Sequence, residues 1–267
     1  MRVNEKDIQE STSNLRKIRE QILRISSRSK EGHVPSSLSV LNIIYAYFSE
    51  FTNHSSETNS PIKGSSFVLS KGHASLGLYA VLNHFGLLED KQLENFCKFD
   101  SILGGHPDRN KVPHVPFSTG SLGHGLPLSI GMAIARKISR DTRRFYCLIG
   151  DGESNEGTIW ESLLLAGHHK LSNVTCIVDC NKSSDRALTL TNLESKFKAF
   201  DWFTVQVDGH SQLEISGALR LIDTERPVAV IARTIKGFGI SSMENNPVWH
   251  HRSPSSDELI ALIEEIK

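Results

Sequence analysis

The sequence predicts an α/β fold with a mostly parallel sheet that is covered by helices on both faces. Short apolar runs alternate with helical patterns along the chain, as they do where crossover helices connect parallel strands. The run at 145–149 is followed by a helical pattern and then by a second run at 174–178. Runs this apolar are typical of strands that are buried on both faces. Because the 267-residue sequence shows no repeat or linker, we expect one domain over 1–267.

The part of the chain before these two strands is predicted to be mainly helical. Residues 5–30 place Leu15, Ile18 and Ile22 on one broad face, as an amphipathic helix does. The three apolar residues at 67–69 are enough only for a short strand. In order, we expect helices at 5–30, 37–51, 74–86, 90–97 and 123–138, a strand at 67–69, and loops at 52–65 and 100–122.

The rest of the chain repeats the alternation of strand and helix. The apolar runs have the length of strands, and the intervening loops are rich in Gly, Pro, Ser or Asn. Long ordered loops in a compact domain are often functional. In order, we expect strands at 145–149, 174–178, 203–207 and 228–232, helices at 155–169, 211–222 and 255–266, and loops at 182–194 and 233–254.

Charge and composition exclude several classes of function. Lysine plus arginine equals aspartate plus glutamate, at 30 each, so nothing indicates a nucleic acid or an anionic membrane as partner. No apolar run approaches the ~20 residues of a membrane span. The charged amino terminus has no apolar signal core, so we expect a cytoplasmic protein. Four cysteines in a chain of this length predict neither a disulfide scaffold nor a zinc site.

Polar groups follow both central strands at the point where each strand ends. Asp151 follows the first strand, and Asn181 follows the second. In an open α/β sheet, the carboxyl ends of the strands form the edge at which ligands bind. A carboxylate, an amide oxygen and the backbone carbonyl of Ser183 are the hard oxygen ligands that Mg²⁺ prefers. We therefore predict that Asp151, Asn181 and Ser183 hold Mg²⁺, or Ca²⁺ or Mn²⁺ in its place.

The turn after the first strand is also suited to a phosphate. Gly152 allows the backbone to approach a phosphate oxygen closely, and the helix that starts near 155 directs its free N–H groups to the same place. Asp151 and Asn181 would also be ordinary residues in a turn or a helix cap. The second strand, which ends in asparagine at a suitable distance, favours a diphosphate that is held through a divalent metal.

This Gly-Asp-Gly turn, followed by Asn after about thirty residues, resembles the thiamine-diphosphate motif. The amino-acid sequence of this central stretch resembles that of transketolase, in particular the separately encoded amino-terminal subunit found in some organisms. The resemblance runs nearly end to end, through eight stretches in the same order. Besides the central stretch they are GHVPSSLSV (32–40), LSKGHASLGLYAVL (69–82), GGHP (104–107), STGSLGHGL (118–126), VDGH (207–210), IARTIKGFG (231–239) and MENNPVWH (243–250).

The resemblance implies a thiamine-diphosphate-binding fold and a role for each matching residue. Catalytic roles are implied for His33, His73, His106, His250 and Glu156. Contacts with the cofactor are implied for His73, Gly120, Ser121, Leu122, Gly150, Asp151, Gly152, Glu153, Asn181 and His250. In the family, two of these histidines reach the diphosphate and the reacting end of the substrate, and two contact sugar hydroxyls. The glutamate joins a carboxylate network across the subunit interface.

Several of these residues also have plainer interpretations. A histidine in a loop is more often solvated than catalytic, but several in Gly-, Pro- or Ser-containing loops favour a shared pocket. Glu156 also lies where a helix dipole favours a first-turn carboxylate. Asp179 is expected to cap or orient the turn of Asn181. Lys236 is expected to be a solvated charge outside the site.

The implied activity is transfer of a two-carbon ketol unit from a ketose or ketose phosphate to an aldose. In the family, thiamine diphosphate lies between two subunits or domains, and this chain resembles only the module that holds the diphosphate. The resemblance therefore implies a carboxyl-terminal partner subunit that carries the pyrimidine-binding domain, in at least an α₂β₂ assembly. Alternatives are a 2-oxoacid decarboxylating subunit, a deoxyxylulose-phosphate-synthase-like enzyme, and a non-catalytic cofactor module that serves as a binding partner.

Two positions depart from the pattern of the family. Pro35 and His251 stand where glycine is usual, and both lie beside residues that are expected to contact the substrate. These departures leave the cofactor site intact. They leave open whether the substrates are the standard sugar phosphates of central metabolism or those of a specialised pathway.

Overall fold

The computed structural model describes residues 5–51, 65–185 and 187–267. Within these residues, five parallel strands form one sheet in the order β1-β2-β3-β5-β4. The strands are β1 (Ser66–Leu69), β2 (Phe145–Gly150), β3 (Val174–Cys180), β4 (Phe203–Asp208) and β5 (Val228–Arg233). All five strands therefore end at the same edge of the sheet. The predicted loop 52–65 lies outside the described residues, apart from Ser65.

Helices pack on both faces of the sheet. They are α1 (Glu5–Ser29), α2 (Val34–Phe51), α3 (Ser75–His84), α4 (Asp90–Glu94), α5 (Gly125–Ile138), α6 (Gly157–His168), α7 (Leu193–Ala199), α8 (Gln212–Leu219) and α9 (Ser256–Glu264). Short 3₁₀ turns span Gly72–Ala74, Asp151–Asn155 and Pro247–Trp249. None of the described helices is both long and apolar enough to span a membrane.

The sheet separates two hydrophobic cores, and β2 contributes to both of them. Tyr146 and Leu148 pack with the core that contains α1, α2, α3, α8 and α9. Phe145, Cys147 and Ile149 alternate with them and pack with the core that contains α5, α6 and α7. Successive side chains of a strand point to opposite faces, so a strand covered on both faces is apolar throughout. The predicted fold, a mostly parallel sheet with helices on both faces, is confirmed; its division into a single domain stays a prediction.

Most predicted elements are present, with small shifts at their ends. Helix α2 begins at Val34, three residues before the predicted start. Pro35 fits its first turn, because a backbone N–H at that position would have no partner within the helix and proline lacks one. Helix α4 ends at Glu94 instead of 97, and Cys97 just beyond it has a left-handed φ of 56°. Helix α7 was not predicted. It is capped by Asn192, whose side chain accepts the N–H of Ser195.

Candidate functional site

A cavity of about 1160 Å³ lies at the carboxyl ends of the strands. It is bounded by the turn after β2, the loop after β3 and the loop after β5. Residues that line it include Asp151, Asn181, Ser183, Arg233, Lys236 and His250. The structure therefore brings the three predicted metal ligands and one predicted catalytic histidine to a single cavity, as their positions after neighbouring parallel strands require.

Asp151 joins the two turns that the predicted metal site needs. Its carboxylate accepts the backbone N–H of Gly152 at 2.7 Å and that of Lys182 at 2.5 Å. The side chain is only 7% exposed. Burial raises the pKa of Asp151 above its ordinary value, and the nearby charge of Asp179 raises it further. A neighbouring cation would stabilise the charged form of a carboxylate that is buried in this way.

Asn181 lines the cavity, and hydrogen bonds fix the orientation of its side-chain amide. Its Nδ2 donates to Ser39 Oγ at 3.1 Å and to Asp179 Oδ2 at 3.0 Å, both of which are buried contacts. Its Oδ1 accepts the backbone N–H of Ser183 at 2.9 Å. The amide therefore has its donor end turned into the protein and its acceptor end turned towards the loop after β3.

A buried ion pair lies behind these two residues. Lys71, which follows β1, bonds through Nζ to Asp179 Oδ2, and their side chains are 3% and 0% exposed. Burial would raise the pKa of Asp179, but the charge of Lys71 and hydrogen bonds from Lys71, Thr234 and Ser39 hold this pKa below its ordinary value. The predicted contact of Asp179 with the Asn181 turn is present, whereas Lys71 was missed although it lies within the stretch 69–82 that contributes to the resemblance.

Glu153 is buried and bonded to three turns of the protein. Its carboxylate accepts hydrogen bonds from Ser70 Oγ at 2.6 Å, from Gly123 N at 2.9 Å and from Gly150 N at 2.9 Å. The residue is 1% exposed. These three hydrogen bonds connect the carboxylate to three turns of the protein, so the structure gives Glu153 a structural role. Its predicted contact with the cofactor stays a prediction.

One expectation about this turn changes, and another is not tested. Helix α6 begins at Gly157, and the segment directly after β2 is the 3₁₀ turn Asp151–Asn155. The N–H groups beside Asp151 therefore belong to that turn and not to α6. A Cβ on Gly152 would meet Ser184 at 3.6 Å, which is an ordinary contact, so the protein itself leaves room for a side chain there. The predicted close approach of the Gly152 backbone to a phosphate stays a prediction.

Three of the predicted catalytic histidines lie close together. The ring centroid of His33 is 5.3 Å from that of His73 and 5.9 Å from that of His250. His251 is closer still, at 4.4 Å from His33. Burial, and then the neighbouring histidines and Lys236, lowers the pKa of His33 to about 4. Burial, and then Lys71, lowers the pKa of His73 to about 2, so both rings are neutral at pH 7.

Lys236 belongs to this group, although the sequence analysis placed it outside the site. Its Nζ lies 2.9 Å from His250 Nδ1. Burial, and then the charge of Lys71, lowers its pKa to about 8. It follows β5 as Asp151 follows β2, and this position at the same edge of the sheet is the signal that would have found it. The cavity thus has a cationic side that lies across from the turn of Asp151.

The loop that carries Lys236 is anchored by His210. The His210 ring stacks on Phe238, with ring centroids 3.5 Å apart, and its Nε2 accepts the backbone N–H of Ile235 at 2.8 Å. Burial lowers the pKa of His210 to about 4, against the opposing charges of Asp208 and Asp179. The neutral ring is the form that can accept this hydrogen bond.

The predicted turn 120–122 packs on the histidine turns. A Cβ on Gly120 would come within 2.9 Å of the His106 ring, and a Cβ on Gly72 would come within 2.8 Å of Gly120. Because Gly120 also has a φ of +152°, both space and backbone conformation require glycine there. The turn therefore joins His106 to the turn that holds His73, with Ser121 and Leu122 exposed beside it.

Glu156 lies apart from the cavity, on the surface at the start of α6. It is the N-cap residue of that helix. Exposed apolar side chains lie on α5 and α6, the two helices that pack beside it: Leu128, Met132, Leu164 and Leu165. This surface, defined by these four residues, is called the α5–α6 face below. A carboxylate at the end of an apolar surface is suited to an interface with another chain.

The donor set fits a metal that is shared with a phosphorylated ligand. Among the described residues, no group of three or more His, Cys, Asp or Glu side chains is arranged to hold a metal ion by itself. The three predicted ligands that line the cavity are one carboxylate, one amide oxygen and a backbone carbonyl. Mg²⁺ is usually held by one or two carboxylates together with water and phosphate oxygens. The nearby cations Lys236 and, when protonated, His250 suit the charge of a diphosphate.

Comparisons with known proteins agree with this site. Residues 11–266 match the family model described as transketolase, thiamine diphosphate binding domain. Two proteins named as the A subunit of apulose-4-phosphate transketolase are similar over 94% of this chain: one from Actinobacillus succinogenes at 36% identity, covering 93% of that protein, and one from Phocaeicola vulgatus at 32%, covering 91%. Human transketolase is 37% identical over 91% of the chain, which spans only 41% of that enzyme.

Solved structures give the same result. A transketolase from Leishmania mexicana superposes with a TM-score of 0.84 at 26% identity, over 95% of this chain and 40% of that one. A transketolase from Campylobacter jejuni superposes with a TM-score of 0.81 at 27% identity, over 98% of this chain and 43% of that one. These matches confirm the predicted resemblance, the thiamine-diphosphate-binding fold and the cofactor, and they favour transketolase chemistry over the alternatives considered.

Proposed function

Because this chain belongs to the transketolase family through its thiamine-diphosphate-binding domain, we propose that it is the amino-terminal subunit of a split transketolase. It would transfer a two-carbon ketol unit between sugars together with a second subunit. Support comes from the extent of the matches. The chain spans 93% and 91% of two proteins that are each named as one subunit of a transketolase, but only 41% of the human enzyme.

The cavity at the ends of β2 and β3 is the single observation that carries this proposal. Asp151 Oδ, Asn181 Oδ1 and the Ser183 carbonyl would hold the metal ion, and the metal would hold the diphosphate. Lys236 and His250 would donate hydrogen bonds to phosphate oxygens from the other side of the cavity. Thiamine diphosphate, when bound, supplies the electron-accepting centre that carries the two-carbon unit.

The histidine group would bind and orient the sugar. His33 and His73 are neutral at pH 7, so each ring has one N–H donor and one acceptor nitrogen. Neutral rings of this kind can hydrogen-bond sugar hydroxyls and move a proton between neighbouring oxygens. His106, held against Gly120, would contribute a further contact from the loop 100–122.

The partner would be a separate subunit that completes the cofactor site. Glu156 would form a carboxylate contact across the interface, and the α5–α6 face would be buried there. Leu164, for example, is 62% exposed in the isolated chain, although it is an apolar residue in the middle of a helix. An assembly of at least two copies of each subunit, α₂β₂, belongs to this proposal, as does a cytoplasmic location.

The substrates would be sugars or sugar phosphates. The two relatives named for apulose-4-phosphate make that sugar phosphate the first substrate to test. His251 lies against the ring of His33, which is expected to contact the sugar, and would affect this choice.

The experiment is a reconstitution. The purified chain is assayed for ketol transfer alone and after addition of the product of a neighbouring gene that encodes a pyrimidine-binding module. We expect activity only with both chains, and two copies of each by analytical ultracentrifugation. Full activity of this chain alone would contradict the partnership, and oxoacid decarboxylation without ketol transfer would contradict the reaction.

A further inference from the structure

Asp179 is completely buried behind the residues that face the cavity. It lies on β3 in register with Gly150 of β2 and Ala232 of β5, so its side chain lies at the ends of the three central strands. Its carboxylate accepts hydrogen bonds from four side chains. These are Lys71 Nζ, Thr234 Oγ1, Ser39 Oγ at 2.7 Å and Asn181 Nδ2 at 3.0 Å. A buried carboxylate with this many donors has a fixed position.

The orientation of Asn181 depends on that position. A side-chain amide has a donor end and an acceptor end, and only the oxygen can ligate Mg²⁺. The Nδ2 group of Asn181 donates to Asp179 Oδ2 and to Ser39 Oγ. A rotation of the amide by 180° would place its oxygen against the Asp179 carboxylate and lose both bonds. Asp179 therefore selects the orientation in which Oδ1 is turned away from the buried pair.

Lys71 makes this arrangement electrically neutral. A buried carboxylate without a counter-charge is costly. Lys71 Nζ bonds to the same Asp179 oxygen that accepts Asn181 Nδ2, so the carboxylate is paired and adds no net charge to the site. Asp151 then remains the charged oxygen ligand that faces the cavity.

We infer that Asp179 and Lys71 form a positioning pair that keeps the oxygen of Asn181 turned towards the metal. This inference rests on the proposed function for the identity of the metal site. It assigns to two buried residues, neither of which is among those lining the cavity, control over the affinity for the metal–diphosphate complex.

The decisive variant is Asp179→Asn, studied by two measurements. In the full chain without cofactor, NMR of selectively labelled asparagine reports the side-chain NH₂ of Asn181. We expect a resonance that is shifted by its charged acceptor and protected from exchange, and we expect both properties to be lost in the variant. In the complex with the partner, calorimetry with Mn²⁺ and thiamine diphosphate should show affinity lower by about 10–100-fold, as for other residues that orient metal ligands.

A matched control separates positioning from general loss of stability. Tyr146→Phe also removes one buried hydrogen bond, that from Tyr146 Oη to the Leu219 carbonyl, but at the opposite end of β2. It should lower the melting temperature and leave the Mn²⁺ affinity unchanged. If Asp179→Asn does not fold, Ser39→Ala is used instead, because it removes one acceptor of the Asn181 amide and keeps both charges. A loss of up to about tenfold is expected there.

The outcomes are distinct. If Asp179→Asn keeps both the Asn181 resonance and the wild-type affinity, the positioning pair is refuted. If that variant does not fold, a wild-type Asn181 NH₂ resonance that is neither shifted nor protected from exchange refutes it instead. If the wild-type complex binds no Mn²⁺ with thiamine diphosphate, the proposed function fails at its cofactor site. The NMR measurement without cofactor would then still decide whether Asp179 fixes the amide.

Discussion

Replacing Asp151 by asparagine removes the charge of the proposed metal ligand with the smallest change in shape. The wild-type carboxylate accepts two backbone N–H groups and is 7% exposed. Asp179, a second carboxylate at this edge, is already paired with Lys71. The Asp151→Asn variant would therefore leave Asn181 and the Ser183 carbonyl as neutral ligands, with no anionic ligand among the three.

The expected loss of affinity is large. Changes to residues that only orient metal ligands cost about 10–100-fold in affinity, so loss of a direct anionic ligand should cost at least about 100-fold. At a cofactor concentration about 100 times the wild-type Kd, binding stabilises the wild-type protein by about 2.7 kcal/mol. The same concentration would equal the Kd of the variant, and its stabilisation would be only about 0.4 kcal/mol. Without cofactor, the variant should lose about 1–3 kcal/mol, because its amide nitrogen faces a backbone N–H.

The assay is calorimetry of thiamine diphosphate and Mg²⁺ binding, with thermal unfolding at the same ligand concentration, in the complex with the partner. Asp185→Asn is the matched control. Asp185 lines the same cavity, and its replacement removes the same charge while leaving the two turns intact. Its affinity should stay within about threefold of wild type, well short of the loss expected for a metal ligand. An Asp151→Asn affinity in that same range would refute the metal assignment.

Three further predictions concern the surroundings of the site. Glu153→Gln should lower the free energy of unfolding by about 1–3 kcal/mol in denaturant titrations, because the new amide nitrogen would face one of the groups that donate to the carboxylate. An unchanged free energy of unfolding would contradict the structural role of Glu153. His210 has a pKa lowered to about 4, so the folded state binds fewer protons than the unfolded state. The contribution of neutral His210 to the free energy of unfolding, up to roughly 3 kcal/mol, should be complete above about pH 6.5. It should be lost as the pH falls from about 6.5 to about 4. A His210→Gln variant with the same pH profile as wild type would exclude this. His251→Gly should raise the pKa of His33 from about 4 towards its ordinary value, because a neighbouring charge is removed; an unchanged NMR titration of His33 would count against their contact.

The parts of the fold and site that follow local rules are those that the sequence predicts best. Asp151 and Asn181 were assigned to one edge because parallel strands end together, and this rule needs no knowledge of distant contacts. Their strands proved to be neighbours, with Gly150 opposite Asp179. The helices that have a clear apolar face were found for the same reason.

The parts that were missed depend on contacts between distant residues. Lys71 and Asp179 are 108 positions apart, and no local pattern shows that they pair. Glu153 is turned inward because Ser70 and Gly123 donate to it, and neither is close to it in sequence. The seven residues of α7 form too short a segment for helical spacing to identify.

A crystal structure of the complex with the partner, thiamine diphosphate and Mn²⁺ tests the central claim most directly, because anomalous scattering locates the metal. We expect the ion between the turn after β2 and the loop after β3, with a carboxylate oxygen of Asp151 and Oδ1 of Asn181 among its ligands at about 2.1 Å, the distance usual for Mg²⁺. A metal–diphosphate bound in the crystal without either side chain as a ligand would contradict the account.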